Sequence, residues 1–160
     1  MSLFNRLALS LALLVPLAAC NFTPVYGPGG AGNVIRNQIS VADPDTRLEF
    51  EVLSRLEDRI GFGATYDLDY VINTGQRDIA IDETNTIERT NVLGSLAYTV
   101  RLASTGQIVD QGEVSTFTAY ATTASPVATA AARRDAENRL AVALADQLVT
   151  RLFAGAATWP

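Results

Sequence analysis

The chain has 160 residues and a formal net charge of −5; all twelve basic residues are arginine, and histidine is absent. An acidic chain is a poor partner for nucleic acid, whose affinity rests on neutralising phosphates. Without histidine there is no Ser-His-Asp or Cys-His catalysis, no histidine metal site and no imidazole pH switch. The lone cysteine, Cys20, permits no intramolecular disulfide.

The amino end reads as an export signal. Arg6 is the only charged side chain before Cys20, and the apolar run Leu7 to Ala19 follows it. This is a positive n-region ahead of an h-region of secretory length, too short to span a bilayer, which takes about 20 apolar residues. Leu17-Ala18-Ala19-Cys20 resembles the lipobox of lipoprotein signal peptides, a branched apolar residue and two small residues before cysteine. The resemblance implies that residues 1–19 are a lipoprotein signal peptide and that Cys20 is the lipid attachment site. Cys20 would carry a diacylglycerol and an N-acyl chain, and no other cofactor is expected. Each buried methylene contributes about 0.8 kcal/mol, so more than one chain makes a stable anchor. Asn21 stands where the enteric inner-membrane retention signal has aspartate, which points to the outer membrane. The remainder after cleavage has the length of one domain and can bury a core without a metal or disulfide.

Residues 20–33 hold Pro24, Gly27, Pro28, Gly29, Gly30 and Gly32 and read as a lipidated tether. Val34, Ile39 and Val41 suggest a first strand that ends before Asp43-Pro44. Asp43 as N-cap with Pro44 at the first helical position opens a helix. Its stripe is Leu48, Val52, Leu56 and Ile60, and Gly61 is placed to end it with positive φ. The period then changes to two. Tyr66, Leu68, Tyr70 and Ile72 alternate with Asp67, Asp69 and Val71, and Ile79 and Ile81 continue the strand past Gly75. Asp82 to Asn85 reads as a loop. Leu96, Tyr98, Val100 and Leu102 form the next strand, Ser104 to Gln107 the hairpin connection, and Ile108 to Thr122 the return strand. The slip in alternation at Gly112 suggests a bulge there. Ser125-Pro126 opens the longest helix, with Leu140, Leu144, Leu148 and Leu152 as its stripe and Gly155 as its end. Two one-sided helices and strands with one apolar face predict an α+β fold. Both helices pack on one face of a single mixed sheet of about four strands, in the order β-α-β-β-β-α. The domain is assigned to residues 34–155. Ala156 to Pro160, with Trp159, is open between a disordered tail and a partner contact.

Several stretches together resemble the LptE family of lipopolysaccharide-assembly lipoproteins. Cys20-Asn21-Phe22-Thr23-Pro24-Val25-Tyr26-Gly27 is similar to the family's opening, with Asn21 in place of the usual glycine. Thr90 to Leu102, with Ala97-Tyr98-x-Val100, resembles its central strand, and Ser115 to Tyr120 the return strand. Arg134-Asp135-Ala136-Glu137 and Leu144 through Leu152 resemble its last helix. The resemblance implies a non-enzymatic outer-membrane lipoprotein that sits as a plug in the LptD barrel and helps deliver lipopolysaccharide to the outer leaflet.

Lipopolysaccharide carries phosphates and acidic sugars, so a contact face calls for arginine on exposed strand positions. Arg77, Arg89 and Arg101 are the candidate lipopolysaccharide or partner contacts, although Asp67, Asp69, Asp78, Glu83 and Glu88 are close enough in sequence to pair with them. Asp67 and Asp69 share a strand face, but two carboxylates make a poor metal site, and no catalytic residue or metal ligand set is assigned. Tyr66, Tyr70, Tyr98 and Phe117 read as core. Two other classes stand beside the barrel-partner reading. One is an auxiliary lipoprotein of another envelope system, a lipid transporter subunit or a cell-wall synthase activator. The other is an enzyme working with carboxylates alone. Cys20→Ser is expected to abolish acylation, read by mass spectrometry, and to leave the circular dichroism of the domain unchanged.

Overall fold

The computed structural model describes residue 27, residues 30–81 and residues 87–160. The signal segment, Cys20, most of the tether and the expected loop at Asp82 to Asn85 lie outside the described residues. The elements are α1 (Ala31–Ile35), β1 (Ile39–Val41), α2 (Arg47–Ile60), β2 (Tyr66–Ile81), β3 (Ile87–Leu102), β4 (Ile108–Ala121) and α3 (Pro126–Gly155), with a 3₁₀ turn at Ala156–Thr158. One four-stranded sheet has the order β1-β2-β3-β4. β1 is parallel to β2 and the other pairs are antiparallel, so the sheet is mixed, as the sequence predicts.

Three local expectations need correction. Val34 belongs to α1, not to the first strand, which is only Ile39–Val41. The glycines before Asn33 let the chain turn tightly: Asn33 N donates to the Gly30 carbonyl and its side chain to the Gly27 carbonyl. The N-cap of α2 is Thr46, not Asp43, and Pro44 lies in the connecting segment. The Thr46 hydroxyl accepts from Glu49 N at 3.2 Å while the Glu49 carboxylate accepts from the backbone of Thr46 at 2.9 Å, a reciprocal capping box that Asp43 cannot make. The irregularity in β4 falls opposite the step from Val100 to Arg101. Gly112 stays in register against Tyr98 and makes room for that ring, since a Cβ there would lie 3.1 Å from the Tyr98 hydroxyl. Gly61 does end α2 with φ 72°, and Ser125 with Pro126 opens α3 as expected.

Alternation along β3 builds the core. Val92, Leu96, Tyr98 and Val100 are buried, as are Tyr66 and Leu68 of β2. Onto this face α3 lays Ala136, Leu140, Leu144, Leu148 and Leu152, and α2 adds Val52, Leu56 and Ile60. Arg55 joins the helices by donating to Asp146 through Nε and Nη2 at 3.0 and 3.1 Å, and Arg59 Nη1 donates to the same carboxylate at 2.9 Å. The hydrogen bond to Asp146 is the largest influence raising the Arg55 pKa. Tyr70 hydrogen-bonds the Glu49 carbonyl, and burial, with Glu49 and Glu57 adding to it, pushes its phenol up to about 12.

The carboxyl end packs into the core. Ala156 and Trp159 are buried, the Trp159 ring lies 5.1 Å from that of Tyr66, and the Tyr66 hydroxyl donates to the Pro160 carbonyl.

α3 crosses β3 most closely at Gly94, where a Cβ would lie 2.9 Å from Leu140 Cδ2 and 3.1 Å from Leu144 Cδ1. Gly94→Val is expected to cost about 1–3 kcal/mol by overpacking. Leu140→Ala alone is expected to cost about 2–5 kcal/mol. In the double variant, denaturant titration should give less than the sum, because the void accepts the added methyls.

Candidate functional site

Both long helices cover the face of the sheet that carries the even-numbered residues of β3, and no described element covers the opposite face. The register sets the rows of this open face. Asp67 lies opposite Arg101, Asp69 opposite Thr99 and Gln111, and Val71 opposite Ala97 and Glu113. Asn73 follows with Ser95 and Ser115, then Gly75 with Leu93 and Phe117, and Arg77 with Asn91 and Ala119.

Chemistry changes along these rows. At one end Arg101 is ion-paired with Asp69. In the middle, Phe117 lies opposite Leu93 and Val71 lies two rows away, across Asn73, Ser95 and Ser115; Val71 and Phe117 are each 62% exposed. There the glycine and serines leave a depression of about 460 Å³ between Asn73, Gly75, Ser95, Ser115 and Phe117. At the far end Arg77 and Arg89 sit at diagonal cross-strand positions, about 7–8 Å apart between Cα atoms. Neither forms an ion pair among the described residues. Asp78 is turned to the other face, where it accepts from the Thr90 hydroxyl at 2.7 Å. In the row of Arg77, the Asn91 side-chain oxygen is buried without a hydrogen-bond partner among the described residues, which costs about 1–3 kcal/mol.

The sequence places the three candidate arginines in or beside strands, and the structure puts all three on strands and on one face. It does not bring them together: Arg101 and Arg89 are separated along β3 by about 40 Å at the usual rise per residue. Phe117 is a correction, since it lies on the open face and not in the core. The signal was present in the parity of the strand: Phe117 alternates with Thr116 and Thr118, and Thr118 hydrogen-bonds the Ala136 carbonyl on the helix side. Polar residues took the covered side there, which misleads a reading by hydrophobicity. Asp67 and Asp69 do share the open face, and among the described residues no group of three or more carboxylate or cysteine side chains is placed to hold a metal.

This is a two-layer α+β domain with a free amphipathic sheet face, and comparison places it. A family model described as LptE, lipopolysaccharide-assembly, matches residues 36–152, and the chain belongs to that family. A protein of Caulobacter crescentus CB15, described as a lipoprotein, superposes with TM-score 0.66 at 21% identity, over 82% of this chain and 98% of that one. Rare lipoprotein B of Shewanella oneidensis gives TM-score 0.57 at 14% identity, over 73% and 92%. A minor lipoprotein of Acinetobacter baumannii gives 0.56 at 12%, over 75% and 94%. At these identities the structures share the fold alone. No curated protein matches the chain.

An exposed ring on a sheet face bears little of the fold's stability. Phe117→Ser is expected to change the unfolding free energy by less than about 1 kcal/mol. A loss of about 3–5 kcal/mol, the cost of truncating a core aromatic, would show that the face is covered.

Proposed function

We propose that the chain is an outer-membrane lipoprotein, anchored through acyl chains on Cys20, that pairs with an LptD-like β-barrel as plug and assembly partner. Its task is the transport and insertion of lipopolysaccharide into the outer leaflet, by binding and not by catalysis. Membership of the lipopolysaccharide-assembly family over residues 36–152 carries this reading. The removal of residues 1–19 and the tether at residues 20–33 belong to the same proposal, with the domain on the periplasmic side or inside the barrel.

The open face supports it physically. Lipopolysaccharide joins anionic phosphates to acyl chains, and this face joins guanidinium groups that form no ion pair among the described residues to exposed Val71 and Phe117. Arginine grips phosphate bidentately. Arg77 and Arg89 are like charges, and an anion between them turns their repulsion into attraction. Arg101 is the weaker contact of the three, because a ligand must displace Asp69.

The test begins with tagged full-length protein purified from detergent-solubilised host membranes. A large LptD-like barrel at near-equal amount is the expected result; a transporter subunit or a cell-wall synthase in its place sinks the assignment. With purified lipopolysaccharide, Arg77→Glu/Arg89→Glu is expected to weaken binding about tenfold or more, with a smaller effect for Arg101→Ala. Unchanged affinity in the double variant removes these arginines from the site.

A further inference from the structure

β4 is the outer strand of the sheet, and its free edge is unusually complete. In an antiparallel ladder the N–H and C=O of one residue point to the same side. Leu102 N donates to the Gln107 carbonyl, whereas Ala103 N donates to the Thr65 carbonyl. Even-numbered residues of β3 therefore face β4, and odd-numbered residues face β2. Even pairs with even across β3 and β4, from Thr90 with Tyr120 to Val100 with Asp110. The odd residues Gln111, Glu113, Ser115 and Phe117 thus turn their main-chain N–H and C=O away from the sheet. Arg139 of α3 confirms the parity by donating to the Ala119 carbonyl at 3.1 Å, which closes the edge at that end. The stretch Ile108–Ala121 has no proline and no lysine, two of the usual guards of a free edge.

Beside these groups runs a groove of about 720 Å³, walled by Glu113 to Ser115 on one side and by Gln147, Thr150, Arg151 and Ala154 of α3 on the other. Asp146, in the same wall, is already held by Arg55 and Arg59. Arg151 is exposed and forms no ion pair among the described residues.

We propose that this groove receives one extended segment of a partner polypeptide, added to β4 as a fifth strand, with an acidic side chain directed at Arg151. Donors and acceptors repeating every two residues, about 6.6–6.8 Å, match another strand and no compact ligand. A second copy of this chain fits less well. Pairing β4 with itself about Ser115, the middle of the groove wall, sets Thr116, Thr118 and Tyr120 against this end of the groove, and none of these is a carboxylate. The inference does not require that the partner be a barrel, so failure of the barrel pull-down leaves it standing.

A photo-crosslinking residue at Ser115 of the full-length protein, irradiated in host membranes and mapped by mass spectrometry, identifies the occupant. A synthetic peptide of the mapped segment is then added to the purified full chain. The amides of Glu113, Ser115 and Phe117 are expected to exchange at least about tenfold more slowly, with those of Val114 and Thr116 unchanged. Ser115→Pro removes an outward N–H that makes no ladder bond. It should weaken the peptide at least tenfold, as should Arg151→Glu and a peptide N-methylated at its edge-facing residues on the unaltered protein. Crosslinks only to a second copy, only to lipid or to nothing overturn the proposal. So do edge amides that the peptide leaves unprotected, or affinity that survives N-methylation.

Discussion

Everything in this domain depends on the close seating of α3 across the inner face of β3. Gly94 has no side chain, so Leu140 and Leu144 approach the strand backbone directly. The stripe from Ala136 to Leu152 is buried in consequence. One long helix and one alternating strand then set where every other element can lie. β2 and β4 flank β3, and α2 fills the remaining width of the layer beside α3. It is held there by Val52, Leu56 and Ile60 and by the two arginines on Asp146.

A two-layer arrangement with both helices on one side leaves the second face of the sheet without a cover among the described residues. In a soluble monomer such a face is normally polar. Here it is graded, from an acid–base pair at one end, through a middle with exposed Val71 and Phe117, to arginines that form no ion pair among the described residues at the other. That gradient fits an amphiphile or a partner surface better than it fits bulk water, and it stands in the same molecule as a free strand edge. The exposed face and the strand edge are thus adjoining aspects of the domain, and neither uses a residue of the core.

Much of the fold was legible in the sequence because the repeats are clean. A spacing of four from Leu140 to Leu152 and of two from Tyr66 to Ile72 each have one geometric solution. The misplacements have particular causes. Asp43-Pro44 and Thr46-x-x-Glu49 are both helix starts by composition, and only the reciprocal hydrogen bonds of the second decide between them. Val34 is β-branched, but the glycines before it and the buried Ile35 after it favour a helical turn against α3. Phe117 was assigned inward because of its hydrophobicity, whereas its parity with the buried Tyr120 in β4 places it outward.

The sequence by itself determined the composition of the layers, the identity of the core stripes and the chemical kit: arginines without lysine, no histidine, one cysteine. These are properties of residue type and short-range spacing, which the chain carries wherever it folds. The tertiary structure alone decided which rows the arginines occupy, that Arg101 is engaged by Asp69 while Arg77 and Arg89 form no ion pair among the described residues, and that Trp159 closes the core against Tyr66. It also decided that β4 is an edge with a groove beside it. Those facts depend on strand order and register, which are set by contacts between residues far apart in the chain.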